Sequence, residues 1–215
     1  MQLPFILTHG GVSVYALLVA SVLALGVFFE RLFVLRRAKI VPPALVRHVN
    51  ALVLAGKIPR ARQLCRAGRG PLAALYNHVL QRADQPLELV QATLDEQGSQ
   101  VVALLQRRLP VLGTVASIAP LLGILGTVLG MIKAFHGIAQ QGFTGPLDMA
   151  EGIWEALLST ALGLVLGIGC LIAHRFLLSR AQDLVLRLQH ETHRVLELVH
   201  SQGRTATQEG ETAPR

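Results

Sequence analysis

The chain has 215 residues, of which 52% are hydrophobic and 15% charged, against roughly 25% charged in a soluble domain. Its net charge of +7 comes without an aromatic-and-basic platform, which speaks against nucleic-acid binding. Cys65 and Cys170 lie far apart with no CxxC or neighbouring Cys/His cluster, so a disulfide framework, a metal motif and a redox motif are all disfavoured, and no cofactor is implied.

In chain order, the first element is an uncharged run of 20 residues, Gly10–Phe29, long enough to cross a hydrocarbon core of about 30 Å as a helix. No Lys or Arg precedes it, and it exceeds the roughly 7–15-residue core of a secretory leader. It therefore reads as a permanent span over residues 10–30, after a short N-terminus over 1–9.

Residues 31–108 hold 13 Lys/Arg against 4 Asp/Glu. Pro42-Pro43 breaks the chain, and short helices are expected over Ala44–Ala55, Pro59–Ala67 and Pro71–Arg82, set apart by Gly56 and by Gly68–Pro71. From Pro86, Leu87, Val90, Leu94, Val101, Leu104 and Leu105 recur at helical spacing. This segment is expected to run into the second span as one long helix, kinked at Pro110. Such short helices leave little room for a separate enzyme domain.

Two further uncharged runs follow, 24 residues over Leu109–Ile132 and 18 over Ala156–Ala173. They predict spans over 109–132 and 151–174, joined by a short loop over 133–150 that carries one Lys and no Arg. Positive charge collects on the cytoplasmic side of a membrane. The N-terminus and the loop are therefore expected in the periplasm, and 31–108 in the cytoplasm. Beyond the third span, Leu177, Leu184, Leu188, Val195 and Leu198 keep a heptad-like stripe, interrupted by Glu191. A cytoplasmic helix is expected over 175–200 and a disordered tail over 201–215. The fold class is all-α: an integral membrane protein with three transmembrane helices, the second and third extended into the cytoplasm, and short cytoplasmic helices between the first and second.

The second span carries Gly113, Ala116, Pro120, Gly123, Thr127, Gly130, Ala134 and Gly137 at alternating spacings of three and four. The third has a counterpart in Gly152, Ala156, Ser159, Gly163, Gly167 and Cys170. Lipid gives helices no hydrophobic reason to associate, so they meet over small side chains. Gly123, Gly126, Gly130, Gly163 and Gly167 are the expected packing positions. Glu155 lies at one edge of the third span's small sector and Thr160 at the other. At about 1.5 Å per residue, Thr127 and Glu155 both fall roughly 7–10 Å below the periplasmic end of their hairpin. A carboxylate inside a span costs about 2.5–3.5 kcal/mol on insertion scales, so it is retained for a function or shielded by a partner.

Plainer roles exist for each residue. Glu151 and Glu155 could cap the third helix, and Thr127 and Thr160 could bond their own carbonyls. Trp154 suits an interfacial anchor, His9, His136 and His174 mark span ends, and Lys133 suits a snorkelling boundary residue.

"SIAPLLGILGTVLGMIKAF" (Ser117–Phe135) followed by "GIWEALLSTALGLVLGI" (Gly152–Ile168) resembles the paired core motifs of the MotA/TolQ/ExbB proton-channel family. "ERLFVLRRA" (Glu30–Ala38) and the three-span layout resemble its ExbB/TolQ branch. The resemblance implies a proton path through Glu155, Thr127 and Thr160, with Ser159 and Glu151 as accessory residues. It also implies a bacterial inner-membrane homopentamer around two copies of an ExbD/TolR-like single-span partner. Proton flow would then drive an energy transducer of the TonB or TolA type. One departure is Glu151, where the family often has proline. A non-conducting scaffold that clusters partner helices is the rival reading. A membrane enzyme fits worst, since no nucleophile–base pair or phosphate loop is visible.

Overall fold

The computed structural model describes residues 12–83, 85–141 and 146–211. The expectations for 1–9, including His9, and for 212–215 lie outside these residues. Among the described residues all regular structure is helical, and three helices are long and apolar enough to cross a membrane. The chain is thus an all-α integral membrane protein. It divides into two compact units.

The first unit comprises residues up to Arg31 and Arg108–Leu177. It contains most of α1 (Val12–Val34), all of α7 (Leu109–Gln141) and the first part of α8 (Pro146–Glu211). The apolar windows of these three helices have mean hydropathies of 2.1, 2.1 and 2.3. Many of their large side chains point outward. Val19, Val22 and Leu23 of α1, Leu121, Ile124 and Ile132 of α7, and Leu157, Val165 and Ile172 of α8 are all exposed. Small residues point inward, among them Ala119, Ala156 and Ser159. That inverts the water-soluble pattern and suits a bundle whose surroundings are themselves apolar.

The second unit comprises Leu32–Arg107 and the chain from Leu178. Here α2 (Arg37–Ile40), α3 (Pro43–Leu54), α4 (Ile58–Ala67), α5 (Pro71–Gln81) and α6 (Leu87–Gln106) follow in order, and successive members from α3 to α6 pack on one another. Proline opens α3, α4 and α5 at a first-turn position, where its missing N–H is not needed. Gly56 stops α3 at φ 68°, and the Lys57 N–H returns to the Leu52 carbonyl at 2.9 Å, an end that only glycine adopts cheaply. The core is conventional: Val49, Val53, Leu72, Tyr76, Val79 and Val90 are fully buried. Of the stripe expected after the third span, Leu184, Leu188 and Val195 are buried here and Leu198 is half-buried, with Ala181 and Val199 buried beside them. Glu191 interrupts it with an Oε2 that is buried and unpartnered. Burial pushes the Cys65 thiol up to about 11. It also raises the Tyr76 hydroxyl, with the negative charge of Glu191 adding to the effect.

Three boundaries differ from the sequence expectation. The helix before the second span ends at Gln106 and does not continue into α7. Arg107 is extended and Arg108 takes φ 69°, with its guanidinium on Glu30. Pro110 is the cause: it cannot donate to the Gln106 carbonyl and its ring would strike that oxygen, so the break falls one turn earlier. The expected loop over 133–150 is mostly helical, because α7 runs to Gln141 and α8 begins at Pro146. Finally, α8 persists to Glu211, where polarity alone suggests disorder. An established helix extends one bond per residue without a new nucleation cost, and Pro214 is the first breaker after it.

Candidate functional site: a carboxylate in a helix seam

In the first unit α7 and α8 pack antiparallel along their small residues. A Cβ added at Gly123 would lie 3.0 Å from the Ser159 carbonyl oxygen and 3.1 Å from Cα of Thr160. At Gly130 it would lie 3.0 Å from the Ala156 Cβ, at Gly163 2.6 Å from the Ala119 carbonyl oxygen, and at Gly167 2.8 Å from the Pro120 ring. Backbone touches backbone, so the seam holds no room for water. All five expected packing glycines lie in it. Gly126 is the point where α1 joins: its added Cβ would meet Ser159 at 2.5 Å and the Ser13 hydroxyl at 2.7 Å.

Glu155 sits at this junction, 7% exposed. Its neighbour one turn on, Ser159, is completely buried and donates its hydroxyl to the Glu155 carbonyl at 3.0 Å. A hydroxyl has one proton, so in the 3.3 Å contact between Ser13 and Ser159 Ser13 is the donor. The Glu155 carboxylate receives the Lys133 ammonium at 2.8 Å, from a lysine side chain that is itself 68% exposed. Thr160 does not bond its own helix. It crosses the seam and donates to the Gly123 carbonyl at 3.0 Å.

Thr127 is placed differently. It bonds its own helix at the Ile124 carbonyl. It lines an open groove with Val128, Met131, Ile132, Phe135 and His136. Six residues at about 100° each put it about 120° around α7 from Lys133. A single chain therefore unites Glu155, Ser159, Thr160 and Lys133, and leaves Thr127 on another side of α7. Glu151 lies on α8 one turn before Glu155; its side chain is outside the described ones. Trp154 is exposed, as is His136, and His174 packs on Gly113.

Sequence reasoning missed two participants, Lys133 as an ion partner and Ser13. The signal for Lys133 was present in the seam's register. If Gly123 meets Gly163 and Gly130 meets Ala156, residue 131 stands opposite 155, and a lysine two residues further on reaches it. Among the described residues no cluster of His, Cys, Asp and Glu could hold a metal ion.

Comparison with known proteins places this geometry. The family model for the MotA/TolQ/ExbB proton channel family matches residues 68–190, which include the whole hairpin. An ExbB-like protein of Synechocystis, ExbB-like 1, is 34% identical over 178 residues, covering 79% of this chain and 68% of the relative. The biopolymer transport protein ExbB of Salmonella typhimurium is 34% identical over 114 residues, 47% of each chain. The Tol-Pal system protein TolQ of Pseudomonas aeruginosa is 33% identical over 125 residues, 58% of this chain and 54% of the relative. The chain thus spans about half the length of the latter two relatives. A buried acid in a glycine seam, within a matched segment that covers more than half the molecule, establishes that this chain belongs to the MotA/TolQ/ExbB proton channel family.

Proposed function

We propose that the chain is the ExbB/TolQ-like subunit of an inner-membrane proton channel, a transport component and not an enzyme. It uses proton-motive force to drive work at the outer membrane, either TonB-type import or Tol-type envelope maintenance. The observation that carries this reading is Glu155, a carboxylate buried against Ser159 at the junction of three apolar helices. A group so placed is functional by default, because lipid alone does not tolerate it. Proton movement through the site is worth about 2.3 kcal/mol per charge per 100 mV.

In this reading the N-terminus and the hairpin tip face the periplasm, and the second unit and the C-terminus face the cytoplasm. The lysine- and arginine-rich stretch between α1 and α7 supports that orientation. Five copies surround two copies of a single-span partner of ExbD/TolR type, which act on an energy transducer of TonB or TolA type. Thr127, on the open side of α7, lines the path where copies or partner meet, and Thr160 and Glu155 line it from α8. The apolar residues left outward on all three helices supply surface for neighbouring copies and lipid.

The test is proton flux into liposomes that hold the chain with its single-span partner, under an imposed potential. Glu155→Gln is expected to assemble normally and to lose flux. Undiminished flux in that variant refutes the channel reading and leaves a membrane scaffold.

A further inference from the structure

The short helices between α1 and α7 carry one sign of charge. Residues 31–83 hold 11 Lys/Arg and no Asp or Glu, and after Glu30 the next acid is Asp84. The described acids of the second unit sit on α6, at Glu88, Asp95 and Glu96, and on α8. Water-exposed surfaces usually intersperse both signs, and a field of one sign draws the opposite charge toward it. Among the described residues, Lys57, Arg60, Arg66 and Arg69 are exposed and make no ion pair.

Topology does not call for these four. The cations that orient a span are counted within about 15–20 residues of its ends. Lys57 comes 23 residues after Val34, where the first span closes, and Arg69 comes 40 residues before Leu109, where the second opens.

The helix α4 gives the patch its shape. Pro59, Arg60, Gln63, Leu64, Arg66 and Ala67 are all exposed, and at about 100° per residue they share one sector of about 160°. Ala61 and Cys65 lie on the opposite side and are buried. The outward face therefore interleaves guanidinium groups with apolar side chains and contains no acid. That composition suits the boundary between lipid headgroups and acyl chains, where arginine meets phosphate and an apolar side chain enters beside it. Residues 41–70 contain no Phe, Tyr or Trp, so the face lacks the stacking surface on which single-stranded nucleic acid is held.

We propose that the outward face of α4, flanked by Lys57 and Arg69, docks on anionic phospholipid of the membrane that α1 crosses. The ligand is a headgroup of net negative charge, such as phosphatidylglycerol. Each Lys or Arg near such a surface is worth about fivefold in binding. The tether through α1 also keeps the face near its ligand, so docking is an intramolecular event at high effective concentration. This surface lies outside the channel reading and needs the membrane alone, without conduction.

The test places an environment-sensitive nitrobenzoxadiazole fluorophore on the full-length protein at Gln63→Cys, with a second labelled protein at Ser99→Cys on α6 as the control. Cys65 and Cys170 are buried, so the reagent goes to the exposed thiol. Each protein is reconstituted into vesicles of phosphatidylcholine, or of phosphatidylcholine and phosphatidylglycerol in equal parts. Both leaflets then have the same composition, and the orientation of the chain does not affect the reading. At low salt the label at position 63 is expected to shift to the blue and to lose quenching by neutral acrylamide in the anionic vesicles only. The label at position 99 should stay wet in both. Salt at about 1 M, where the screening length is about 3 Å, should reverse the shift. Arg60→Gln, Arg66→Gln and Arg69→Gln together should abolish it.

Equal emission and quenching at position 63 in the two vesicle types overturns the proposal. So does a shift that salt leaves unchanged, or one that position 99 shares. A shift produced in detergent by polyglutamate and absent with phosphatidylglycerol assigns the face to an acidic protein and overturns it too. If the triple variant fails to accumulate, the lipid and salt comparisons on the labelled protein still decide. Proton flux is not read here, so a failure of the Glu155→Gln flux test leaves this result standing.

Discussion

Gly163→Ala adds a single methyl group at the tightest point of the seam. The new Cβ would stand 2.6 Å from the Ala119 carbonyl oxygen and 2.9 Å from Cα of Gly123. Both are backbone atoms, so no rotamer change relieves the overlap. Carbon–oxygen contacts between helices settle near 3.3 Å, so α7 and α8 must part locally by about 0.7 Å. That movement stretches the 3.0 Å bond from Thr160 to the Gly123 carbonyl past hydrogen-bonding range. Overpacking of this kind costs about 1–3 kcal/mol, and an interhelical bond in a membrane protein about 0.6 kcal/mol. The expected loss is therefore about 2–3 kcal/mol. Gly169→Ala is the matched control: same helix, same methyl, and nothing within 4 Å of the added Cβ. There alanine is neutral or gains up to about 1 kcal/mol of helix propensity. The two variants should differ by about 3 kcal/mol, roughly a hundredfold in the folded ratio. Unfolding by SDS in mixed micelles, followed by fluorescence of the single tryptophan, Trp154, reads the difference. Equal midpoints for the two variants refute the claim that backbone contact holds the hairpin.

Thr160→Val removes the cross-seam bond and should cost about 0.6–1.7 kcal/mol in the same assay, while Thr127→Val, whose hydroxyl bonds its own helix, should barely move the midpoint. The second unit should weaken in alkali. The Cys65 thiol is raised from 9.0 to about 11 in the folded chain, so its contribution is whole below pH 9 and lost as pH climbs toward 11. Tyr76 is raised as well and acts in the same sense above it. Denaturant midpoints at pH 8 and pH 10.5 should therefore fall further in wild type than in Cys65→Ala; an equal fall in both removes the thiol from the account.

Features written in one or two residues were legible from the chain. Pro43, Pro59 and Pro71 fix helix starts because they remove a donor where none is needed, and Gly56 fixes a stop. The seam was legible because small residues recur on one face of each span, and the burial of Glu155 followed from its place beside that face. The break at Arg107 and Arg108 was not legible. Apolar spacing runs straight through it, and the effect of Pro110 is felt four residues upstream of its ring. The true extent of the hairpin was also hidden, since Lys133 and His136 read as a boundary while their backbone continues as helix to Gln141. The ion pair needs a register and a long side chain together, and neither is a local property. Ser13 depends on where α1 docks, which is a property of the bundle and not of α1 alone.

The glycines and the acid are one device. A carboxylate on a membrane helix is shielded only if its neighbours come close enough to exclude lipid headgroups and water, and side chains larger than serine would hold α1 and α7 away. At Gly126 the separation is set by Ser13 and Ser159 themselves, so the residue that lets three helices converge also encloses the hydroxyls beside Glu155. The closure is one-sided. Toward the seam the site is backbone and hydroxyl; toward the hairpin tip it is an exposed, flexible ammonium. A substitution that loosens the seam and one that replaces Lys133 should therefore differ in the SDS assay: the first lowers the midpoint by about 2–3 kcal/mol, the second, at an ion pair whose cation is 68% exposed, by no more than about 1 kcal/mol.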